Sequence, residues 1–384
     1  TRMLKIFVTG DNHFGKKYNR YPDAKKELIN SRFECLKDMV RKAEAEACEF
    51  FIITGDLFDK TDNIKVGDVK QVVNILAGFS ENVLILPGNH DYYTGHENVW
   101  KDFESALSSR ENNITLLKEF REYLFESEDG KIVIYPAFCQ SKHSNENNLN
   151  WIKNQNIQKF GAINIGIAHG AIRGITPDIN EEYFLMSESE LSSIPVDVWL
   201  IGHTHIPYPD TLKDDEDTVG YKIFNAGTHE QTDLHNNTEG NGFIIAIEKK
   251  GSEVKVSARK YVSGKIRFYD LYVSVKPENE IALSNALKTI LPDKDKKNSV
   301  IRLNIKGKIK QAEYLEKGMI YKKLLEEFLS YEIVDNELSE EITVERIRSE
   351  FAETSFAALF MEQLIDNPIE LQMAYKLMQD CKLK

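Results

Sequence analysis

The stretch FFIITGDLFD, residues 50–59, joins a run of apolar and β-branched residues to a glycine and two aspartates. An apolar run of this length that ends at a glycine is typical of a buried parallel strand. Asp56 and Asp59 therefore stand just beyond the end of a strand. In an open α/β sheet, the loops that leave the carboxyl ends of the strands meet in one crevice, so we expect a functional site here.

The same arrangement occurs four more times along the chain. The other apolar runs are residues 4–8, 83–86, 163–168 and 198–201. The polar motifs that follow them are Asp11-Asn12-His13, Gly88-Asn89-His90-Asp91, His169-Gly170 and Gly202-His203-Thr204-His205. The pattern predicts that all five motifs lie at strand ends and that their side chains form one cluster.

Together the motifs supply many metal-binding side chains. Carboxylate and amide oxygens and imidazole nitrogens suit divalent ions such as iron, zinc and manganese. The donors outnumber the ligands that one ion needs, which predicts two ions that share a carboxylate. Such a pair, roughly 3.5–4 Å apart, can clamp a phosphoryl oxygen and lower the pKa of a bound water towards neutrality.

The order of the motifs resembles that of the calcineurin-like metallophosphoesterase superfamily, over residues 11–205. The resemblance implies an α/β fold, with a two-sheet sandwich flanked by helices and a smaller C-terminal α+β capping module. It also implies the ligands of each ion. The first metal would be held by Asp11, His13, Asp56 and His205, and the second by Asp56, Asn89, His169 and His203. Asp56 would then bridge the two ions.

The resemblance also implies catalytic roles for His90 and Asp59. A metal-bridging hydroxide would attack phosphorus in line, and His90 would act as the general acid at the departing oxygen. A histidine with a pKa near 6.5 needs only modest stabilisation to be protonated. Asp59 would pair with His90, orient it and raise its pKa. Asp91 is expected to support the turn.

The run Gly-Asp-Leu-Phe-Asp, followed by Lys60-Thr61, further resembles the SbcD/Mre-type nuclease subunits of DNA double-strand-break repair. That resemblance implies a manganese-dependent DNA exonuclease or endonuclease that forms a homodimer and works with an SbcC-type coiled-coil ABC ATPase. Two alternatives stay open. One is a metallophosphoesterase for a small nucleotide or cyclic nucleotide, and the other is a DNA-end-binding scaffold for an ATPase partner.

Several basic side chains are candidates for substrate contacts. Lys16, Lys17 and Arg20 follow the first motif, and Arg173 lies in the long loop after His169. Each could meet a phosphate, or belong to a solvated loop or a salt bridge. Residues 249–267 contain seven basic residues and one acid, which fits a nucleic-acid surface or the solvated face of a hairpin.

The net charge and composition of the whole chain limit these interpretations. Its 384 residues carry a net charge of −12, which argues against coating nucleic acid through global charge but allows a nuclease with a local basic patch. We expect a cytoplasmic protein without a membrane segment, because no apolar run approaches 18 residues and no signal-peptide pattern occurs. The four scattered cysteines are expected to be free thiols.

The pattern of apolar residues divides the chain into two predicted domains. Residues 3–268 form the metallophosphoesterase (nuclease) domain, and residues 269–384 form the α+β capping domain with C-terminal helices. Residues 221–227 and 243–248 are expected to be antiparallel strands that complete a second sheet. The predicted helices are residues 24–47, 65–77, 96–107, 280–291, 321–329, 343–364 and 369–381.

Overall fold

The computed structural model divides the chain into two compact units, Thr1–Ile266 and Arg267–Lys384. The structure describes residues 2–382. The predicted domain boundary lay between residues 268 and 269, close to this division. The role of the second unit as a capping domain stays a prediction.

The first unit alternates strands and helices in its N-terminal half and is dominated by strands afterwards. Its strands are β1 (Arg2–Thr9), β2 (Phe50–Ile53), β3 (Asn82–Ile85), β4 (Ile114–Leu116), β5 (Tyr123–Ser127), β6 (Gly130–Ala137), β7 (Ala162–His169), β8 (Val198–Gly202), β9 (Thr218–Val219), β10 (Ile223–Asn225), β11 (Asn241–Lys250) and β12 (Glu253–Val262). Its helices are α1 (Lys25–Ala45), α2 (Val66–Leu76), α3 (Asn98–Ser108), α4 (Asn150–Lys153) and α5 (Glu188–Ser193).

These strands form two sheets. One has seven strands in the order β4-β3-β2-β1-β11-β12-β9, and the other has five in the order β10-β8-β7-β6-β5. Strands β1 to β4 are parallel, and β11 pairs with β1 in the antiparallel direction. The five motifs therefore follow parallel strands of both sheets.

An apolar core fills the space between the two sheets. Successive side chains of β1 alternate between the faces of its sheet, as strand geometry requires. Leu4, Ile6 and Val8 join residues of β7 in the core between the sheets, whereas Phe7 packs on the other side with residues of α1 to α3. Helices α4 and α5 cover the outer face of the five-stranded sheet. The predicted two-sheet sandwich flanked by helices is confirmed.

The predicted pairing of the later strands was partly wrong. β11 is antiparallel to β1, but it belongs to the seven-stranded sheet. β10 is parallel to β8 in the five-stranded sheet. Alternation of apolar residues indicates a strand, but the direction of its partner depends on tertiary contacts that a single sequence does not show.

The second unit begins with a three-stranded parallel sheet. Its strands, in the order β13-β14-β15, are β13 (Arg267–Val275), β14 (Ser299–Ile309) and β15 (Ser330–Glu340). Helices α6 (Ala282–Ile290) and α7 (Gln311–Leu325) make the two crossovers and pack on one face of the sheet. The helix predicted at residues 321–329 was misplaced, because residues 311–325 form the helix and β15 follows it.

Three C-terminal helices form a separate apolar cluster within this unit. They are α8 (Val344–Glu350), α9 (Phe356–Gln363) and α10 (Pro368–Lys382). The helix predicted at residues 343–364 is interrupted, because Thr343 and Ser355 each accept a backbone N–H bond at a new helix start. Within residues 2–382, no helix is long and apolar enough to cross a membrane.

Candidate metal centre

The five motifs meet at the carboxyl ends of β1, β2, β3, β7 and β8. Three groups of side chains there bring one donor atom each to within 4.8 Å of one another. The groups are Asp11 with His13 and His205, Asp56 with His169 and His203, and His13 with Asp59 and His90. The first two groups contain six of the seven predicted metal ligands.

The first group is built from the motifs after β1 and β8. The Nε2 atoms of His13 and His205 are 3.2 Å apart. Asp11 Oδ1 lies 3.9 Å from His205 Nε2, and Asp56 Oδ2 lies 3.8 Å from His13 Nε2. These donors thus converge on one small volume, with Asp56 at its edge.

The second group contains the remaining predicted ligand, Asn89. His169 Nε2 lies 2.9 Å from Asn89 Oδ1 and 3.3 Å from Asp56 Oδ2. His203 Nδ1 lies 3.3 Å from the same Asn89 oxygen. Asp56 Oδ2 therefore lies near donors of both groups, and its role as the bridging ligand stays a prediction.

Hydrogen bonds around His169 show what the second group can hold. Its Nδ1 atom donates to the Thr54 carbonyl at 2.9 Å, so the neutral ring presents a lone pair at Nε2. The Asn89 amide nitrogen donates to the Lys142 carbonyl at 3.2 Å, which turns Oδ1 towards His169. Three acceptors then face one another and need a shared proton or a cation. The donor set therefore fits a divalent ion.

The electrostatics of the site also favour a bound cation. Burial would raise the pKa of Asp56, but the charge and hydrogen bond of His169 hold it well below its usual range. Burial opposes protonation of His169, yet the Asp56 charge raises the His169 pKa to about 9. Burial lowers the pKa of His203 to about 4 and that of His205 well below its usual value. Both histidines are thus neutral, which is the form that binds metals.

At four predicted ligands the backbone has a positive φ angle, a conformation that residues other than glycine rarely adopt. The φ angles are 49° at Asp11 and His13, 53° at Asp56 and 106° at His203. Backbone bonds hold the first two turns, since Asp11 N donates to Gly55 O and His13 N to Asp56 O, each at 2.9 Å. Such strained residues cluster at functional sites where the surrounding structure holds them in place.

Asp91 and two glycines shape the loops around Asp56. The Asp91 carboxylate is buried and accepts backbone N–H bonds from Gly88 at 2.7 Å, Phe58 at 3.0 Å and Asp56 at 3.2 Å. Asp91 therefore supports the turn, as expected. A side chain at Gly88 would lie 2.3 Å from Asp56 Oδ1, and one at Gly55 would lie 2.2 Å from His169 Nδ1. Only glycine fits these positions.

Asp59 and His90 lie in the third group together with His13, and the pairing of Asp59 with His90 stays a prediction. Asp59 Oδ1 forms its hydrogen bond with His13 Nδ1 at 3.2 Å. The His90 backbone N–H donates to Asp56 Oδ1 at 2.8 Å, and its ring packs edge-on against His13 at 5.0 Å. Burial lowers the pKa of His90. Asp59 therefore orients the predicted ligand His13 through this hydrogen bond.

The sequence comparison agrees with this geometry. A family model for calcineurin-like phosphoesterases matches residues 4–207. The chain belongs to this family. The motifs around the centre are those of a phosphoesterase. Among curated protein sequences, none matches the chain.

Solved structures of three bacterial proteins resemble this phosphoesterase. A candidate 5′-nucleotidase from Staphylococcus aureus has 13% identity and a TM-score of 0.39, covering 68% of this chain and 54% of that one. The calcineurin-like phosphoesterase YfkN from Bacillus subtilis has 12% identity and a TM-score of 0.38, covering 68% and 90%. The NAD nucleotidase of Haemophilus influenzae has 12% identity and a TM-score of 0.39, covering 67% and 49%. The match spans about half the length of the first and third proteins, and none of these likenesses bears on the substrate.

The basic loop after the first motif borders the centre of the phosphoesterase. Lys16, Lys17 and Arg20 line a groove of about 320 Å³ together with residues 232–235. We call it the basic groove. Its residue Thr232 lies 3.4 Å from Nδ1 of the predicted ligand His205. One residue of the basic groove therefore contacts a predicted metal ligand, and the phosphate contacts of Lys16, Lys17 and Arg20 stay predictions.

Arg173 is placed differently. Its guanidinium forms an ion pair with Glu181 at 3.1 Å on the same loop, and both side chains are more than half exposed. The salt-bridge alternative describes this arginine in the structure. Its role as a phosphate contact stays a prediction.

Three of the seven basic residues at residues 249–267 form close pairs with carboxylates of the first unit. Lys249 is buried and pairs with Asp197 at 2.8 Å, and Lys265 pairs with Asp38 at 2.9 Å. Arg259 also bonds to the Glu46 carboxylate. These pairs weaken the interpretation of the run as a nucleic-acid surface, because these three charges are balanced by nearby carboxylates.

Sequence reasoning missed the role of Arg32. This side chain is only 2% exposed, and its Nε atom donates to the Asn12 carbonyl at 3.0 Å, between the predicted ligands of the first motif. Its Nη1 atom donates to the Glu230 carbonyl at 3.2 Å. The sequence did contain a signal for the burial of Arg32, because this residue is spaced four residues from both Leu28 and Leu36 on the buried face of α1.

His229 belongs to the same buried network. Its side chain has no exposed surface, and its Nε2 atom lies 2.9 Å from the Arg32 carbonyl. Its ring packs against Phe14 at 5.3 Å. His229 thus packs behind the first motif and is not among the donors that converge in the described centre.

Proposed function

We propose that this phosphoesterase is a two-metal DNA phosphodiesterase. The observation that supports this proposal is the basic groove beside the metal centre. Three cationic side chains there, Lys16, Lys17 and Arg20, line one groove with residue Thr232, which contacts His205. A groove of this kind can hold the phosphates that flank a cleaved ester bond.

In the proposed reaction, the metal ions, Asp56 and His90 have different roles. When bound, two divalent ions at such a centre neutralise charge on phosphoryl oxygens and lower the pKa of a water. Asp56 holds the His90 backbone through the bond to its Oδ1 atom. His90 protonates the departing oxygen. Burial lowers the His90 pKa, and the negative charge of a bound phosphodiester counteracts this by favouring the imidazolium form.

A small nucleotide is the second candidate substrate. Basic residues of the run at residues 249–267 are paired with carboxylates, and the net charge of the chain is −12. The basic groove is therefore a short basic surface that these residues do not extend. A single nucleotide would need only the groove and the centre. The two candidates therefore differ in how many flanking phosphates contribute to binding.

Manganese is the metal that we propose, because the resemblance to SbcD-type nucleases implies it. The ligand set of imidazoles, carboxylates and one amide also accepts iron and zinc. Elemental analysis of protein purified without added metal tests this assignment. Two equivalents of zinc or iron with full activity would replace it.

We also propose an SbcC-type ATPase partner and a homodimer. Helices α9 and α10 support a docking role, because Phe356, Leu359, Met373 and Leu377 are each more than half exposed. Serine at Phe356 and Leu359 should abolish copurification of such an ATPase and leave small-diester hydrolysis unchanged. Retained copurification would contradict the docking role, and light scattering of the purified chain tests the dimer.

The decisive experiment compares DNA with a small diester. Purified protein with manganese should cleave linear duplex and single-stranded DNA as well as bis-p-nitrophenyl phosphate. His90→Ala should keep both metals but lose about 10²–10⁴-fold in rate, because it lacks the general acid. Hydrolysis of the small diester with intact DNA would favour the small-nucleotide alternative. Loss of metal from His90→Ala would show that His90 is a ligand.

A further inference from the structure

A second cavity borders the metal centre. It has a volume of about 610 Å³, and the predicted ligands His203 and His205 form part of its wall. We call it the Ile206 cavity. It shares no lining residue with the basic groove among the residues that the structure describes.

The Ile206 cavity has an apolar wall beside a charged centre. Ile175, Pro177, Ile206 and Pro207 contribute to this wall, and Ile206 keeps 49% of its surface exposed. Among its described lining residues there is neither a lysine nor an arginine. A phosphate would gain no partner charge here. An uncharged flat ring would cover the apolar wall and could bond to polar atoms at its edge, such as the Asn236 amide.

Hydrogen bonds fix the wall before any ligand binds. The Asn225 amide donates to the carbonyls of Thr204 at 2.7 Å and Ile206 at 2.9 Å. The backbones of Asn225 and Tyr208 exchange two further bonds at 2.8 Å. The hydroxyl of Thr176 bonds to that of Thr204 and joins the loop after β7 to this wall. A wall held in this way loses little entropy when a ligand binds.

The Ile206 cavity and the basic groove meet at one predicted ligand. His205 Nδ1 lies 3.4 Å from both Thr232 Oγ1 and Asn236 Nδ2. Thr232 lines the basic groove, whereas Asn236 lines the Ile206 cavity. A phosphate at the centre would therefore have neighbouring sites of two chemistries, one cationic and one apolar.

We propose that the Ile206 cavity is a nucleoside-binding subsite, which receives the base next to the cleaved phosphoester. This inference rests on the proposed function, since it names which part of a nucleotide lies beside the centre. The base would stack on the apolar wall, and the basic groove would receive phosphates further along a strand.

The kinetic test uses two diesters, one with a thymidine group and the other with a methyl group in its place, and calorimetry isolates the contribution of the base. They are the p-nitrophenyl ester of thymidine 5′-monophosphate and methyl p-nitrophenyl phosphate, with the manganese-loaded full chain. The thymidine ester should have a KM lower by on the order of tenfold, since burial of a base on an apolar wall favours its binding. Ile206→Ser should raise this KM by roughly fivefold without changing the KM of the methyl ester.

The matched control is Ile179→Ser. Ile179 is 97% exposed and lies outside the described lining of the cavity, so the same substitution there should change neither KM. Equal KM values of the wild-type protein for the two diesters would overturn the subsite. An equal effect of Ile206→Ser on both diesters, or none on either, would overturn it as well.

A binding measurement separates this subsite from the proposed function. Calorimetry with thymidine 5′-monophosphate and 2-deoxyribose 5-phosphate should show tighter binding of the nucleotide, again by on the order of tenfold. If neither diester is cleaved, the proposed function fails, and this difference still decides the subsite. An oligonucleotide with one abasic position identifies the source of the base. Slower cleavage next to that position indicates a nucleic-acid strand, whereas unchanged cleavage with tight nucleotide binding indicates a free nucleotide.

Discussion

Arg32 shows how a single residue outside the motifs supports the metal centre. The first motif needs a left-handed backbone at both Asp11 and His13, which is unfavourable for these residues. Between them, the Asn12 carbonyl accepts two bonds from the buried Arg32 guanidinium. We infer that Arg32 is a positioning residue, because it holds the carbonyl that separates two predicted ligands.

Arg32→Met should weaken metal binding at the group of Asp11, His13 and His205 by about 10–100-fold, since outer partners orient metal ligands. The group around His169 should keep its affinity. Calorimetric titration of metal-free protein with manganese measures both sites. Arg41→Met is the matched control, because Arg41 lies on the same helix with a 70% exposed side chain. An equal loss at both sites would mean that Arg32 only stabilises the fold.

The protonation of His169 predicts how metal binding depends on pH. In the metal-free protein the Asp56 charge raises the His169 pKa to about 9, so the ring carries a proton below that pH. A metal must displace this proton. The apparent affinity should therefore increase about tenfold per pH unit between pH 7 and 9 and then level off. Calorimetry in two buffers of different ionisation enthalpy counts the released protons. An affinity that is constant over this range would contradict the raised pKa.

At the scale of helices and strands, local patterns predicted more than pairings did. The strands that precede the five motifs could be identified because each combines an apolar run with a polar motif over a few residues. The hydrogen bond between Asp59 and His13 could not, since His13 and His90 come from different strands and only the folded loops decide which ring Asp59 reaches. The parallel pairing of β10 with β8 likewise depends on tertiary contacts and could not be predicted from the local pattern.

The buried pair of Lys249 and Asp197 joins elements of the two sheets. Lys249 lies one residue before the end of β11 in the seven-stranded sheet, and Asp197 precedes β8 of the five-stranded sheet. Lys249→Met should lower the free energy of unfolding by about 3–5 kcal/mol, because it leaves a buried carboxylate without its partner charge. Urea unfolding measures this change.

The double variant Asp197→Asn/Lys249→Met should recover much of that stability, because the buried charge is gone and the amide oxygen can still accept the Asn164 N–H bond that Asp197 accepts at 2.7 Å. Lys250→Met, at the exposed next residue, is the control and should be nearly neutral. A double variant less stable than Lys249→Met would show that the carboxylate is needed for more than this pair.

At the scale of the whole molecule, the distribution of functional groups is uneven. The predicted metal ligands, His90, the basic groove and the Ile206 cavity all belong to the first unit. The second unit has its own apolar clusters beneath its sheet and among its C-terminal helices. The change of pattern near residue 269 led us to predict a domain boundary there. Strand β15 was not predicted, because its residues are mostly polar or half-buried.

A chain that ends at residue 268 should therefore keep the chemistry of the centre. The cut preserves the backbone N–H groups of Lys265 and Ile266, which donate to Glu230 at 2.9 and 2.8 Å. Metal content should equal that of the full chain, and the kcat for methyl p-nitrophenyl phosphate should agree to within about twofold, since every donor is present. Copurification of an ATPase partner should be lost with α9 and α10.

The same fragment with Asp56→Asn is the control and should lose metal from both groups. A folded fragment without metal would show that the second unit contributes to the centre, and would assign it a catalytic role beyond docking.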